Sequence, residues 1–534
     1  MATDTAPCLP DPRVCEQARL SRDARFDGLF FTAVKSTGIY CRPVCPAPTP
    51  KPSNVSYYGN AAAAEAAGFR PCLRCRPELA PGDGTWRRGD EVVARALTLI
   101  DQGLLAEQPL SALAARVALG ERQSRRLFVD RLGVAPIGVH GTRRLLFAKQ
   151  LLTETTLPIT EVALAAGFGS LRRFNATFLE SYRMAPRDLR RVPTAAQHGA
   201  LVLRLGYRPP YDFNAMLDFL RGRALPGVER VDEHAYARVV GPATAPGWLR
   251  VSAWPDEEHA LRLELRGVPS AGLLPIVNRL RRMFDLDADP QAIAVALSAD
   301  ARMRPLFKQR PGLRLPSGWD GFEIAIRAVI GQQISVAAAR TCTARLAQEF
   351  GAALPVDFAP GHRHLFPTPE ALAGADLSRI GLTRARADTV RTVARAVLDG
   401  RVDFHGERML DDFVARWVAL PGIGPWTASY IALRALGHPD AFPADDLVLQ
   451  KAVPTDGTRM TAKALTLRAE TWRPWRAYAV MHLWNDSIGN QVPALASAGN
   501  NQTRSVVPAK AGTQRLADGL RKSAKVTGFP PARE

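Results

Sequence analysis

Residues 420–446 read LPGIGPWTASYIALRALGHPDAFPADD, and this stretch decides how the second half of the chain is interpreted. The PGIGP segment predicts a tight turn between two apolar helical runs, with backbone N–H groups pointing outward at the start of the second helix. A loop then delivers Asp445 and Asp446 directly before another helical run. The stretch therefore predicts a phosphate-binding hairpin beside a carboxylate. The alternative is that Pro-Gly only caps a helix and Asp446 only N-caps the next one.

The composition is that of an ordinary globular protein, with 46% hydrophobic and 23% charged residues in a chain of 534. That length suits roughly three or four domains, each with its own core. The sequence contains no apolar run long enough to span a bilayer, and its N-terminus lacks the basic start and apolar core of a secretory signal. We therefore expect no membrane partner and a cytoplasmic, nucleoid-associated location.

The net charge is strongly positive, at +19 with a pI of about 10.2. The basic excess is spread over every part of the chain rather than confined to one tail. Such a balance predicts a polyanionic partner, because a positive surface attracts nucleic acid through its phosphates.

Four of the seven cysteines form two close pairs, Cys41 with Cys45 and Cys72 with Cys75, separated by 26 residues. Each pair can supply two ligands from one turn, as a tetrahedral zinc site requires. The spacing predicts one zinc ion. A site that is purely structural, or that senses redox state, remains an alternative from spacing alone.

Residues 31–78, beginning FTAVKSTGIYCRPVC, resemble the N-terminal domain of the Ada alkylation-response regulators. The resemblance implies that Cys41 accepts a methyl group from a methylphosphotriester in DNA, while the other three cysteines are supporting ligands. It also places Thr37, Arg70 and Arg74 at DNA contacts. Methylating one sulfur would remove a negative charge from the site and reduce its repulsion from phosphate.

Residues 91–192 read as helical, after a linker at 81–90, and contain a repeat at an offset of 50 residues. Phe128 recurs as Phe178, and each copy has a turn followed by an arginine-bearing helix. The arginines after the two turns are Arg122 and Arg125 in the first copy and Arg172 and Arg173 in the second. The second copy, ITEVALAAGFGSLRRFNATFLESYRMAPRDLR, is similar to the AraC-type DNA-binding domain. That similarity implies promoter binding, with RNA polymerase as a partner.

From residue 200 onward the pattern of apolar and polar residues changes from helical to strand-like. LVLRLG, YARVVG and LRLELRG alternate like antiparallel strands, and helices dominate later. YRPPYDF and GWDGFEIAIRAVIGQQISVAAA resemble the AlkA-type DNA glycosylases. The expected fold is multidomain and mainly α. Its predicted domains are a small four-cysteine zinc domain (1–80), an AraC-type double helix-turn-helix (91–192), an α+β lobe (200–297), an all-α helix-hairpin-helix domain (298–490) and a disordered basic tail (491–534).

The AlkA-type resemblance implies that Asp446 is the essential carboxylate of a DNA-3-methyladenine glycosylase II. Trp426 stands where lyase-type relatives carry a lysine, so we expect a monofunctional enzyme without Schiff-base chemistry. Trp426, Tyr430 and Trp484 match aromatic positions of the base pocket. An aromatic pocket favours positively charged alkylpurines by cation–π attraction.

Four residues are expected at the DNA backbone or at the gap left by a flipped base: Gly422, Gly424, Gln332 and Gln333. The glycines belong to the hairpin, and the glutamines match the loop that fills the gap. The resemblance also implies a monovalent cation at hairpin carbonyls between residues 418 and 423.

Taken together, the resemblances imply an alkylation sensor and regulator fused to a base-excision enzyme, acting on double-stranded DNA. The chain lacks a Pro-Cys-His-Arg motif, and Cys342 lies at helical spacing, so direct repair of alkylguanine is not expected. The alternative is a zinc-dependent transcription regulator whose second half only binds DNA. Asp446, Trp426 and Tyr430 together argue against that alternative.

Overall fold

The computed structural model describes residues 9–82, 91–190, 200–255, 259–355, 357–404, 410–454 and 458–489. The predicted tail at 491–534 and residues 83–90 of the predicted linker lie outside these ranges. Within them, no helix combines the length and the apolar character needed to cross a membrane. The predicted fold class, multidomain and mainly α, is confirmed.

The first module is a four-stranded sheet with two short helices. The sheet order is β3-β1-β2-β4, with β1 antiparallel to β2 and β3, and with β2 parallel to β4. In its small core Phe31 and Tyr40 pack edge to face, with their ring centroids 5.6 Å apart. Its elements are α1 (Pro12–Ser21), β1 (Phe31–Val34), β2 (Ile39–Cys41), β3 (Val55–Tyr58), α2 (Ala61–Ala66) and β4 (Arg70–Pro71).

The second module contains the predicted repeat. Phe128 and Phe178, which lie 50 residues apart, are both buried, and the arginines that follow each turn are exposed. A helix of 19 residues, Pro136–Glu154, links the two copies. The helices are α3 (Glu91–Asp101), α4 (Leu104–Glu107), α5 (Leu110–Arg116), α6 (Glu121–Leu132), α7 (Pro136–Glu154), α8 (Ile159–Ala165), α9 (Leu171–Tyr182) and α10 (Pro186–Leu189).

The third module is an antiparallel five-stranded sheet with helices, in the order β5-β9-β8-β7-β6. The three predicted strands are present. Two others were not predicted, because Glu229–Val231 has three residues and Gly247–Ala253 follows a Pro- and Gly-rich turn. The elements are β5 (Leu201–Gly206), α11 (Phe213–Arg221), β6 (Glu229–Val231), β7 (Ala235–Val240), β8 (Gly247–Ala253), β9 (Ala260–Arg266), α12 (Leu273–Met283) and α13 (Pro290–Leu297).

The last module is helical. One continuous buried cluster joins the helices on both sides of the hairpin, with Trp417 and Trp472 among its largest fully buried side chains. The helices are α14 (Met303–Gln309), α15 (Gly321–Ile330), α16 (Val336–Phe350), α17 (Pro369–Ala373), α18 (Arg384–Leu398), α19 (Leu410–Val418), α20 (Pro425–Ala435), α21 (Leu447–Ala452), α22 (Ala462–Ala469) and α23 (Arg476–Gly489).

The modules are packed against one another. Leu151 of the linking helix and Phe178 of the second helix-turn-helix copy share a buried cluster with Leu203 and Leu263 of the five-stranded sheet. The sequence did not predict this shared core, because each partner is also an ordinary core residue of its own module. The helices of the second module are therefore joined to the sheet lobe by apolar packing as well as by the chain.

A buried arginine fastens the first module to the third. Arg208 is fully buried, and its Nε donates to the carbonyl of Asp27 at 2.8 Å. Its Nη1 donates to the carbonyls of Asp287 at 2.6 Å and Ala288 at 3.0 Å, and its Nη2 donates to the carbonyl of Gly82. Removing this side chain would leave several buried carbonyls without donors, which is strongly destabilising.

Candidate functional site

The predicted hairpin lies between α19 and α20. Gly422 has φ of +85°, and a Cβ at this position would meet the Thr389 hydroxyl at 2.0 Å. Gly424 is the N-cap residue of α20, with φ of −94° and open space where a Cβ would project. Only the first glycine is therefore required by the backbone. The second leaves the first N–H groups of α20 uncovered by a side chain.

Asp446 is placed at the start of α21 by backbone and side-chain donors. Its Oδ1 accepts from the N–H groups of Val448 and Leu449, both at 3.0 Å, so the predicted N-cap exists. Two indole N–H groups also reach the carboxylate, from Trp426 to Oδ2 at 3.1 Å and from Trp484 to Oδ1 at 3.3 Å. A simple N-cap does not explain two aromatic donors. Asp446 is thus both a cap and the centre of an aromatic pocket.

The aromatic walls are those predicted. Trp426 and Tyr430 stack with ring centroids 5.1 Å apart and an interplanar angle of 16°, and Tyr430 lies 6.4 Å from Trp484. All three are partly exposed, whereas the core tryptophans Trp417 and Trp472 are buried. The partly exposed faces of such rings attract flat, electron-poor groups.

A positive cluster at the foot of the pocket was not predicted. Arg434 donates to the Tyr430 hydroxyl at 3.1 Å and to the carbonyl of Pro316 at 2.7 Å. Burial raises the pKa of Tyr430, but the positive charges of Arg434, Arg223 and Arg327 outweigh it, so the pKa is lowered. The signal was present in the sequence, because residues 426, 430 and 434 recur every four positions on one helix face.

Two neighbouring glutamines differ sharply in their surroundings. The Gln332 side chain donates to the Gly422 carbonyl and to the Thr427 hydroxyl, both at 3.0 Å, and so ties its loop to the hairpin. Gln333 is exposed and has φ of +57°, a conformation that L residues rarely adopt. Backbone strain of this kind is often kept at functional positions. The geometry suits Gln333 for projecting from the surface and Gln332 for anchoring.

The loop that leads to Asp446 is braced from α23. Arg476 donates to both carboxylate oxygens of Asp440, at 2.8 and 2.9 Å, and the Ala477 N–H donates to the carbonyl of Pro439 at 2.8 Å. The Gln450 amide donates to the carbonyl of Ala444 at 3.0 Å. These contacts fix where the carboxylate sits.

A second site lies in the first module, where the structure brings the four predicted cysteines together. The four Sγ atoms all lie within 4.8 Å of one another. Cys72 and Cys75 are buried, whereas Cys41 and Cys45 are partly exposed. The backbone N–H of Arg42 points at the Cys75 sulfur at 3.3 Å, and that of Arg74 points at the Cys72 sulfur at 3.4 Å. Such donors stabilise thiolates that hold a metal.

The sulfur cluster is joined to the linking helix α7 by buried ion pairs. Lys149 pairs with Glu78 and approaches the Cys72 carbonyl at 3.5 Å. Arg76 pairs with Glu154 at 2.8 Å. The sequence did not reveal these pairs, because each partner reads as a solvated surface charge.

The residues predicted to touch DNA are mostly on the surface. Thr37 and Arg74 are exposed and Arg70 is partly exposed. The four arginines of the two turn-following helices are all exposed: Arg122, Arg125, Arg172 and Arg173. Their positions allow contact with a polyanion but do not identify the bases that are read.

Four protein families match successive parts of the chain. The metal binding domain of Ada matches residues 14–78, a helix-turn-helix domain matches 113–192, the AlkA N-terminal domain matches 202–320, and the HhH-GPD superfamily of base excision DNA repair proteins matches 326–477. The Ada match and the cysteine cluster together identify a zinc site. The helix-turn-helix and HhH-GPD matches identify a DNA-binding protein.

Three curated relatives cover different shares of the chain. The "Probable bifunctional transcriptional activator/DNA repair enzyme AlkA" of Mycobacterium tuberculosis is 39% identical over 88% of this chain and 95% of that protein. The "DNA-3-methyladenine glycosylase 2" of Escherichia coli is 38% identical over 52% of this chain and 95% of that protein. The "Bifunctional transcriptional activator/DNA repair enzyme Ada" of Escherichia coli is 35% identical over 41% of this chain and 56% of that protein.

Proposed function

The chain belongs to the family of bifunctional transcriptional activator/DNA repair enzymes that join Ada-type zinc and helix-turn-helix domains to an AlkA-type glycosylase, and we propose a role for each half. The second half releases alkylated bases of the 3-methyladenine and 7-methylguanine type from DNA. The first half senses methylphosphotriesters and regulates transcription. The placement of Asp446 between two indole donors in an aromatic pocket carries the enzymatic proposal.

The proposed reaction breaks the N-glycosidic bond of a base flipped into the pocket. The base leaves with the bonding electron pair, and the carboxylate of Asp446 stabilises the positive charge that develops on the sugar. Water then adds to the sugar carbon and gives up a proton. Trp426 and Trp484 orient the side chain of Asp446, because each indole N–H donates a hydrogen bond to one of its oxygens.

Substrate choice follows from the rings. Trp426 and Tyr430 present a stacked pair on which an alkylated purine, cationic and already a good leaving group, can lie. Selectivity then depends on the weakened bond more than on base-edge contacts. Arg434 orients the Tyr430 hydroxyl by donating to it, and the charges of Arg434, Arg223 and Arg327 lower its pKa.

The enzyme acts without strand cleavage. Trp426 fills the position of the lysine on which lyase-type relatives depend, and Lys451 is exposed on α21 rather than in the pocket wall. Without an amine beside the sugar, no Schiff base forms. Strand breaks are therefore expected only when the abasic product is treated with alkali.

The direct test is base release from methylated duplex DNA by the full chain, with strand breaks scored before and after alkali. We expect wild type to release 3-methyladenine and Asp446→Asn to be slower by about 100-fold or more. Asparagine is also a good N-cap, so this change should leave the fold intact. Asp445→Asn, at the exposed neighbouring carboxylate, is the matched control and should keep its activity.

A folded wild type that releases no base would overturn the enzymatic proposal. It would favour the alternative of a transcription regulator whose second half only binds DNA. Breaks before alkali would overturn the monofunctional part alone.

For the zinc site, the proposal is stoichiometric methyl transfer to Cys41. Bound zinc keeps the cysteine sulfurs deprotonated and nucleophilic. The Cys41 sulfur attacks the methyl carbon, the carbon–oxygen bond breaks, and the phosphodiester leaves with the negative charge. Cys41 and Cys45 are both accessible, so exposure alone does not choose between them; the Ada resemblance favours Cys41.

Regulation follows from the loss of one negative charge at the site. Thr37, Arg70 and Arg74 approach the DNA backbone, and the paired helices α6 and α9 enter successive major grooves of promoter DNA. RNA polymerase is the proposed partner at the promoter. Methylated and unmethylated protein should therefore differ in promoter affinity in a gel-shift titration, and equal affinities would contradict this step.

The proposal also includes a monovalent cation at the hairpin. This cation is bound by the carbonyls between residues 418 and 423, and the neighbouring Gly422 and Gly424 bind the DNA backbone. Replacing potassium by a bulky organic cation at constant ionic strength should then weaken duplex binding.

The proposed domain limits are those expected from the sequence, at residues 1–80, 91–192, 200–297 and 298–490.

A further inference from the structure

A crevice of about 670 Å³ lies where the regulatory and enzymatic halves meet. Its walls come from α3 and α5 of the helix-turn-helix module, from α12 of the sheet lobe, and from the segments around residues 317–321 and 397–404 of the helical module. None of the four pocket residues Trp426, Tyr430, Trp484 and Asp446 lines it. A chain that contained only one of the two halves could not form this crevice.

Two arginines of α12 give the crevice its chemistry. Arg279 and Arg282 lie one turn apart and both line it. The guanidinium of Arg279 lies over the ring of Trp319, 4.9 Å from its centroid. Among the described residues, no carboxylate forms an ion pair or hydrogen bond with either guanidinium. Two cations are therefore held close together without a bonded anion.

The surroundings make these charges unfavourable without a partner. Burial and the positive charge of Arg279 together lower the pKa of Arg282 to about 10, against the attraction of Asp101. Burial also lowers the pKa of Arg279, against the attraction of Asp320. Both side chains stay charged at neutral pH. An anion between them would offset both burial and mutual repulsion.

Two of the nearby acids have other partners. Asp101 pairs with Arg143, and Asp320 caps α15 by accepting from the Glu323 N–H at 3.1 Å. A third acid, Asp403, also lines the crevice. Two more arginines face it from the regulatory half, Arg95 on α3 and Arg116 on α5. The Ser317 hydroxyl also lines the crevice and is buried without a hydrogen-bond partner among the described residues.

We propose that this crevice binds a phosphorylated ligand the size of a mononucleotide, with its phosphate between Arg279 and Arg282. The volume lies in the range of small-molecule sites and is too small for a duplex. Trp319, Phe404 and Phe413 offer the apolar surface that a planar base needs. Because the walls belong to both halves, the ligand binds only the docked arrangement and stabilises it.

The test uses the full zinc-loaded chain and calorimetric titration with deoxyadenosine monophosphate, inorganic phosphate and undamaged duplex DNA at one ionic strength. We expect saturable binding of the mononucleotide at one site per chain. Arg282→Gln and Arg279→Gln should each weaken it at least about tenfold, the usual loss for a hydrogen bond to a charged group. Arg401→Gln is the matched control, because Arg401 is exposed beside the crevice but does not line it.

A further variant distinguishes loss of binding from misfolding. Arg116 is exposed on the regulatory side, so Arg116→Gln should keep the fold and still weaken binding of the mononucleotide. Hydrogen exchange should slow in both α3 and α12 when the mononucleotide is added.

The proposal would be overturned by an absence of saturable binding, or by equal affinity of the mononucleotide for wild type and for the Arg279 and Arg282 variants. Displacement of the mononucleotide by duplex DNA would also overturn it, because the phosphate would then be that of DNA. Base release is an independent readout, so failure here leaves the proposed function intact.

Discussion

The two side chains proposed to react, Cys41 and Asp446, lie in opposite kinds of surroundings. Cys41 is one of four sulfurs clustered within 4.8 Å, where bound zinc would make it a nucleophile. Asp446 accepts hydrogen bonds from two indoles and two backbone N–H groups, which fix the position of its side chain. In the proposed reactions the cysteine is altered, since it keeps the methyl group, whereas the aspartate is regenerated, because water completes the reaction. The proposal therefore combines a centre that records damage with one that turns over.

The largest expected effect separates the two centres completely. In Cys41→Ser, methyl uptake from methylphosphotriester DNA should fall from one methyl per chain to none, while base release is unchanged. Mass spectrometry of the cysteine-containing peptides measures the uptake. Cys342→Ser, far from the cluster in sequence, should still accept one methyl. A methyl group found on Cys45 would transfer the acceptor role to the other accessible sulfur.

Trp426→Phe removes one donor to Asp446 but keeps a ring in the pocket. The single-turnover rate of base release should fall about 10-fold or more, the usual loss for a hydrogen bond to a charged group. Trp484→Phe should lower the rate less, because the Trp484 indole nitrogen lies 3.3 Å from the carboxylate and that of Trp426 lies 3.1 Å from it. Equal rates for wild type and both variants would show that the indole N–H groups are not needed. Methyl uptake at Cys41 should be unaffected.

Gly422→Ala tests the hairpin through stability. The left-handed backbone and the close Thr389 hydroxyl should destabilise the helical module by about 1–3 kcal/mol. Gly424→Ala is the matched control, since its φ is ordinary and no atom lies within 4 Å of the added Cβ. Urea midpoints of the two variants measure the difference. If both shift equally, the backbone argument for Gly422 is wrong.

The smallest effect is expected at the exposed Gln333. Gln333→Ala should weaken binding to a duplex with an abasic site about threefold, as for the loss of one modest contact. Its urea midpoint should not change, because the side chain is exposed. Gln332→Ala should instead lower stability, since that amide holds the hairpin. A reversed pattern would exchange the roles of the two glutamines.

Local motifs accounted for much of what the sequence could predict. The cysteine pairs and the hairpin with Asp446 depend on spacing within short segments, and the structure brings each of these two sets together. The repeat at 50 residues also depends on spacing, and Phe128 and Phe178 are buried in separate clusters. The sequence could also have predicted that Arg434 belongs to the site, because it follows Tyr430 by four residues on the same helix face. The confirmed fold class followed from the same local patterns.

Contacts between distant parts of the chain could not be predicted in this way. Arg208 bonds to Asp27 across 181 residues, and Lys149 bonds to Glu78 across 71. Each of these residues reads as an ordinary surface charge in its own segment. Only the packing of the modules buries them and gives each a partner. The crevice beside Arg282 has the same origin.

The most direct test of the two-centre account is a time course with one preparation of the full zinc-loaded chain. Duplex DNA carrying both methylphosphotriesters and 3-methyladenine is supplied in large excess over protein. The account predicts that methyl transfer stops at one methyl per chain while base release continues through many turnovers. Methyl transfer that exceeds one per chain, or base release that stops at one, would contradict it.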